Sequence, residues 1–168
     1  ETEYNVIVCA MRGHTFEQNL AMLQAAREFL GQGVCGADLA GNEAAYPMAD
    51  FLELFARAKE MGMPFTIHAG ECGSPANIRD AIDAGARRIG HGIAMRGQDE
   101  LKRLCRQKNI GIELCPVSNL QTKAVESPGD YPLREFLDGG LKVTVNTDNR
   151  TVSGSTLSGE LELVQELY

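Results

Sequence analysis

Residues 65–92 read FTIHAGECGSPANIRDAIDAGARRIGHG, and the fold is decided in this stretch. It opens on a short apolar run, Phe65–His68, that ends in a histidine and a glycine turn. Ser74-Pro75 follows as a helix N-cap with proline at the first helical position, and Gly85 stands where that helix should stop. A second apolar run, Arg87–Gly90, leads to His91 between two glycines. Strand, loop, helix and strand within about 30 residues make a βαβ unit, whose strands run parallel.

The unit repeats on both sides. Apolar runs at Asn5–Ala10, Val34–Ala40, Ile110–Leu114 and Lys142–Val145 read as further strands, with ends falling roughly every 22 to 30 residues. Helix signals fill the gaps. Thr15 caps the first helix, with Gln18 completing a capping box and Phe16, Leu20, Leu23, Ala26 and Leu30 as its apolar stripe. A second helix spans about Met48 to Met61, with Phe51, Leu52, Phe55 and Ala58 inward and Gly62 just beyond. Leu101, Leu104 and Cys105 mark another, and a short one runs from Pro132 to Leu137 before Gly139-Gly140. Thr122–Tyr131 reads as a long βα loop. Alternating units with nearly all-apolar strands predict a parallel sheet covered by helices. The expected fold class is α/β, of the (βα)8 TIM-barrel type but incomplete, with about six of eight units and the missing pair before Glu1.

Residues 1–168 therefore read as a single partial TIM-barrel domain. The chain opens without methionine and stops at Tyr168 in helical register, with Leu157, Leu161, Val164 and Leu167 on one stripe, as expected of a fragment of a longer protein. The net charge of −7, with no Lys/Arg stripe, argues against a nucleic-acid partner. No apolar run approaches the ~20 residues that span a bilayer, so no membrane partner is expected. Five cysteines, at 9, 35, 72, 105 and 115, form no CxxC pair, which favours reduced thiols and a cytoplasmic protein.

Chemistry-bearing residues cluster at the strand ends. His68 and Glu71 follow the third strand, His91 the fourth, and Asn146-Thr147-Asp148 the sixth. Barrel enzymes build their active sites at this end. A histidine, a nearby carboxylate, a second histidine and a lone aspartate there point to metal-assisted hydrolysis, in which two or three histidines and a carboxylate hold the ion. Only His68 and Asp148 read as ligands. Glu71 reads either as a proton shuttle or as a plain acidic residue at a helix start. His91, flanked by glycines, should stand open at its strand end. Asp38-Leu39-Ala40-Gly41 is a mouth carboxylate or an ordinary turn. His14 reads as structural, Cys115 as packing, and no GxGxxG follows a strand.

Taken in order, Asp38-Leu39-Ala40-Gly41-Asn42-Glu43, His68-Ala69-Gly70-Glu71, Gly90-His91-Gly92, Cys115-Pro116-Val117-Ser118-Asn119 and Asn146-Thr147-Asp148 resemble the adenosine deaminase family, bacterial in style and across essentially the whole chain. The resemblance implies the third through eighth strands of a zinc barrel that deaminates adenosine or 2′-deoxyadenosine to inosine or 2′-deoxyinosine and ammonia. It implies His68 and Asp148 as zinc ligands, Glu71 as proton donor to purine N1, and His91 as the residue that orients or deprotonates the attacking water. Gly41 would meet the purine N3 edge through its backbone. Two further zinc ligands, an His-x-His pair, would come from the family's first strand, which this sequence does not contain. Where many members have Asn-Thr-Asp-Asp, this chain ends the motif with Asn149, a neutral amide for the purine imidazole edge. The cytidine-deaminase zinc pattern is absent. The small-molecule partner is thus a purine nucleoside, with AMP, adenine or an inert barrel remnant as the alternatives, and the 168-residue piece alone is expected to be inactive.

Overall fold

The computed structural model describes residues 3–72 and 74–168. Six strands alternate with helices in the order read from the sequence: β1 (Val6–Met11), α1 (Phe16–Arg27), β2 (Val34–Ala40), α2 (Leu52–Glu60), β3 (Thr66–Ala69), α3 (Pro75–Ala84), β4 (Arg88–His91), α4 (Asp99–Lys108), β5 (Gly111–Leu114), α5 (Pro116–Gln121), α6 (Leu133–Asp138), β6 (Lys142–Val145), α7 (Arg150–Ser153) and α8 (Leu157–Leu167). Every strand pair is parallel. β1 pairs with β2, and β3 through β6 pair in sequence order. The amide of Ala37 donates to Pro64 O at 2.9 Å and bridges the two groups. Strands in chain order with a helix after each are the arc of a TIM-type barrel.

Register separates the two faces of the arc. Ile67, Ile89, Ile112 and Val143 stand side by side, as do His68, Gly90, Glu113 and Thr144 in the next row. The first row is apolar and packs under the helices with Leu23, Phe55, Ile78 and Phe136. The second faces the barrel interior, where Glu113 accepts from Thr66 Oγ1 at 2.7 Å and from Arg88 Nε at 2.5 Å. Period-two alternation thus sends apolar side chains out to the helices and polar ones in.

Local signals explain most of the element ends, and their misses are informative. Thr15 and Gln18 form the expected reciprocal capping box, and Gly85 ends α3. The stretch from Met48 is a 3-10 turn to Phe51 before α2 begins, and Leu54 rather than Leu52 lies inward. The turn rotates the helix phase, so Leu52 is left exposed. Phe16 is also exposed, because it starts α1 at the rim. α5 is an unforeseen helix that begins on Pro116 within the Cys115–Asn119 motif. In α8 the inward residue is Glu160, fully buried, while Leu157 and Leu161 are half exposed. Glu160 Oε2 accepts the amide of Val117 at the start of α5, 2.9 Å away, and Oε1 has no partner among the described residues. Among the described residues no helix is long and apolar enough to cross a membrane.

Candidate active site

Each candidate residue sits where its strand ends. His68 points inward from β3 beside Gly90, where any side chain would crowd the ring: a Cβ there would lie 3.3 Å from its Nδ1. Nδ1 lies 2.8 Å from Asp38 Oδ2 of β2, off the direction of the ring N–H, so the contact is electrostatic more than an aligned hydrogen bond. Burial works to lower the His68 pKa, but the contact with Asp38, then the charges of Asp38, Asp148 and Glu71, outweigh it and hold the imidazole above its ordinary value. For Asp38 burial works upward, and the contact with His68 and the Leu39 amide prevail, holding the carboxyl low. Asp38 is therefore no ordinary turn residue; its carboxylate stands against the His68 ring.

His91 departs from expectation. It is buried rather than open, and its backbone is left-handed at φ 63°. A side chain is strained there, and the bonds from Gly92 N to Ala69 O and Gly90 O hold it. Its Nδ1 meets Asn119 Nδ2 at 2.9 Å, and the Tyr131 hydroxyl donates to Asn119 Oδ1 at 3.0 Å. The tyrosine proton turns the amide so that its NH2 faces the ring; Nδ1 accepts, and a neutral ring carries its proton on Nε2. Burial lowers the His91 pKa, as does the charge of His68, against the pull of Glu71 and Asp148. That balance favours the neutral ring. Nε2 faces Glu71 Oε2 at 3.7 Å, and the two histidine rings meet edge to face with centroids 4.9 Å apart.

Two cavities adjoin this cluster. One, of about 530 Å³, is lined by His68, His91, Asp148 and Asn149, with Cys9 and Cys115. The other, of about 510 Å³, is lined by Gly41, Glu43, Glu71 and Lys123. The Glu71–His91 contact joins them. Asp148 Oδ2 accepts from Ser118 Oγ at 2.7 Å, and Glu71 Oε1 from Thr122 Oγ1 at 3.1 Å. Asn149 Oδ1 caps α7 by accepting from the amides of Thr151 and Val152, so Nδ2 is the part of that side chain left for a ligand. Cys115 is buried among carbonyl oxygens, and burial pushes its thiol far up, in keeping with packing. His14 is exposed on the rim, away from both cavities.

The donors suit zinc in kind. His68 presents an imidazole with a carboxylate 2.8 Å from Nδ1, a neighbour of the kind that accompanies metal-binding histidines, and Asp148 lines the same cavity. Their number falls short, since among the described residues no three His, Cys, Asp or Glu side chains stand close enough to hold a metal.

A family model, adenosine deaminase, matches residues 2–168. An adenosine deaminase from Enterococcus faecalis is 43% identical over 164 residues, 98% of this chain and 49% of that protein. The chain belongs to the adenosine deaminase family. It spans about half the length of the curated adenosine deaminases it matches; one from Clostridium botulinum, 41% identical over 163 residues, is covered to 49%. Among solved structures, the N6-mAMP deaminase of Arabidopsis superposes with a TM-score of 0.88 at 27% identity, covering 97% of this chain and 48% of that one. An amidohydrolase from Burkholderia ambifaria, solved with bound Zn, gives 0.85 at 25% identity, over 96% and 46%.

Sequence reasoning missed the supporting residues. Ser118 and Asn119 are small polar residues of the Cys115–Asn119 motif, and nothing in their spacing marks them as partners of Asp148 and His91. Tyr131 ends what reads as a loop, and nothing local marks it. Glu43 and Arg12 are charged residues that the structure buries, the arginine with 1% exposure.

Proposed function

We propose that the protein containing this chain is a zinc-dependent hydrolase that converts adenosine or 2′-deoxyadenosine to inosine or 2′-deoxyinosine and ammonia. One observation carries the reading: His68, His91 and Asp148 line one cavity, and Glu71 reaches His91 across its edge at 3.7 Å. Membership of the adenosine deaminase family supports it. On this reading residues 1–168 form part of one TIM-barrel domain of a cytoplasmic protein, and its partner is a small purine nucleoside.

His68 and Asp148 would hold the metal, together with two further ligands that the resemblance places on the family's first strand. Zinc supplies Lewis acidity, which makes water nucleophilic near neutral pH. Glu71 carries a proton to purine N1, its carboxyl steadied by the Thr122 hydroxyl. His91 orients the attacking water: with Nδ1 accepting from Asn119, its Nε2 is a donor, which favours orientation over proton abstraction. The backbone of Gly41 meets N3, and Asn149 Nδ2 meets the imidazole edge. Water oxygen replaces the 6-amino group at C6, and ammonia leaves.

A nucleoside 5′-monophosphate is the second reading. Lys123 lines the Glu71 cavity and offers a cation to a phosphate. Ammonia release by the full-length protein from adenosine, 2′-deoxyadenosine, AMP and adenine tests both. Turnover fastest on the nucleosides is expected; preference for AMP selects the second reading, and no turnover on any of them rejects both.

A further inference from the structure

We propose that Glu43 is a positioning residue for the deamination, its buried carboxylate fixing the Gly70–Cys72 turn and so setting where the Glu71 carboxyl stands. The inference rests on the role proposed for Glu71. Glu43 lies on the loop after β2 and is 4% exposed. Its Oε1 accepts from Gly70 N at 2.6 Å and Asn77 Nδ2 at 2.7 Å, and its Oε2 from Glu71 N at 2.9 Å and Cys72 N at 3.1 Å. Three successive backbone amides converge on one anion. Such a nest forms where the chain alternates handedness, and Gly70 supplies the left-handed step at φ 77°.

The carboxylate is itself held from behind. Asn77 donates to Oε1 while its own Oδ1 accepts from Met48 N at 2.9 Å, tying α3 to the 3-10 turn before α2. The fully buried Arg12 spans the same wall, donating to Tyr46 O and to His68 O at 2.6 Å each. Its cation offsets the Glu43 charge, so the carboxylate stays buried with its full set of acceptor bonds. One arginine thus grips the strand carrying His68 and the loop carrying Glu43. Turning the Glu71 backbone moves its carboxyl relative to His91 and to a bound purine, and displacement of a reacting group by about 1 Å can cost ~10²-fold in rate.

The test is Glu43→Gln in the full-length protein. Glutamine keeps the shape, but in either orientation its NH2 faces two N–H donors. A fall in kcat of about 10- to 100-fold with KM within about threefold is expected. Hydrogen exchange should quicken at the amides of Gly70, Glu71 and Cys72 while Ile89 and Ile112 keep wild-type rates. Unchanged kcat, or a loss confined to KM, overturns the proposal. If that variant does not fold, Glu43→Asp keeps the charge and withdraws it by one methylene; kcat lower by about tenfold at steady KM is expected, and wild-type kcat overturns the proposal. If the wild-type protein deaminates no aminopurine, the functional reading falls by itself, and amide exchange in the variant decides the anchoring.

Discussion

Replacing Gly70 with alanine should be among the most damaging single-methyl changes in this chain. Gly70 has φ 77°, and a Cβ built on it would lie 2.5 Å from Ile78 Cδ1, 2.7 Å from Ile78 Cγ1 and 3.2 Å from Ala94 Cβ. Ile78 is fully buried in the core, and Ala94 N donates to Gly70 O at 2.8 Å, so neither wall retreats freely. The left-handed backbone costs an alanine about 1–2 kcal/mol. Crowding a packed site adds about 1–3 kcal/mol. The sum is about 2–5 kcal/mol, of which the second part is steric. Gly62 supplies the control, with φ 68° and nothing within 4 Å of an added Cβ. Gly62→Ala should therefore cost only the backbone part, about 1–2 kcal/mol. Urea unfolding followed by circular dichroism measures both, and with m of about 2 kcal/mol/M the midpoints should fall by about 1–2.5 M and 0.5–1 M respectively. Equal shifts in the two variants would refute the steric argument, because backbone handedness alone would then account for both.

Three further outcomes are expected. Glu71→Gln should lower kcat by about 10²- to 10⁴-fold with KM little changed, read as ammonia release by the full-length protein. Asn149→Ala removes an acceptor from two amides at the start of α7 and should cost about 1 kcal/mol, measured by chemical denaturation; a neutral result would show that cap to be idle. For Glu135, burial works to raise the pKa, but the bond from Lys102, the Gly97 amide and the lysine charge outweigh it and hold the carboxyl below its ordinary 4.5. A depressed folded-state pKa means that this contribution is present above the unfolded value and lost as pH falls through the folded one. Glu135→Gln should thus flatten the stability profile below pH 4.5 in urea titrations, with only a small effect at neutral pH because the pair is partly solvated.

The six strands were legible because each is a short apolar run ended by a polar or glycine turn, and the observed ends differ by about one residue. Where local pattern is the whole cause, as in the Thr15 capping box, reading and structure coincide. The apolar stripe failed at Leu52 because a 3-10 turn before α2 shifts the helical phase, which hydropathy does not encode. It failed at Leu161 because α8 turns Glu160 inward to meet Val117 N. At the site, His68, Glu71, His91 and Asp148 were visible as polar residues after apolar runs. Their supports were not. Asp38 contacts His68 across a strand gap, Asn119 reaches His91 from helix α5, and Tyr131 turns Asn119 from the loop beyond it. Such pairs depend on which elements become neighbours, and spacing along the chain carries no trace of that.

The inward turn of Glu160 reaches beyond packing. By accepting Val117 N it pins the residue just before Ser118 and Asn119, the pair that contacts Asp148 and His91. Helix α8 is therefore a brace behind the cavity wall. A cut or fraying anywhere between Thr156 and Glu160 would slacken the far side of the mouth without touching a residue that lines it.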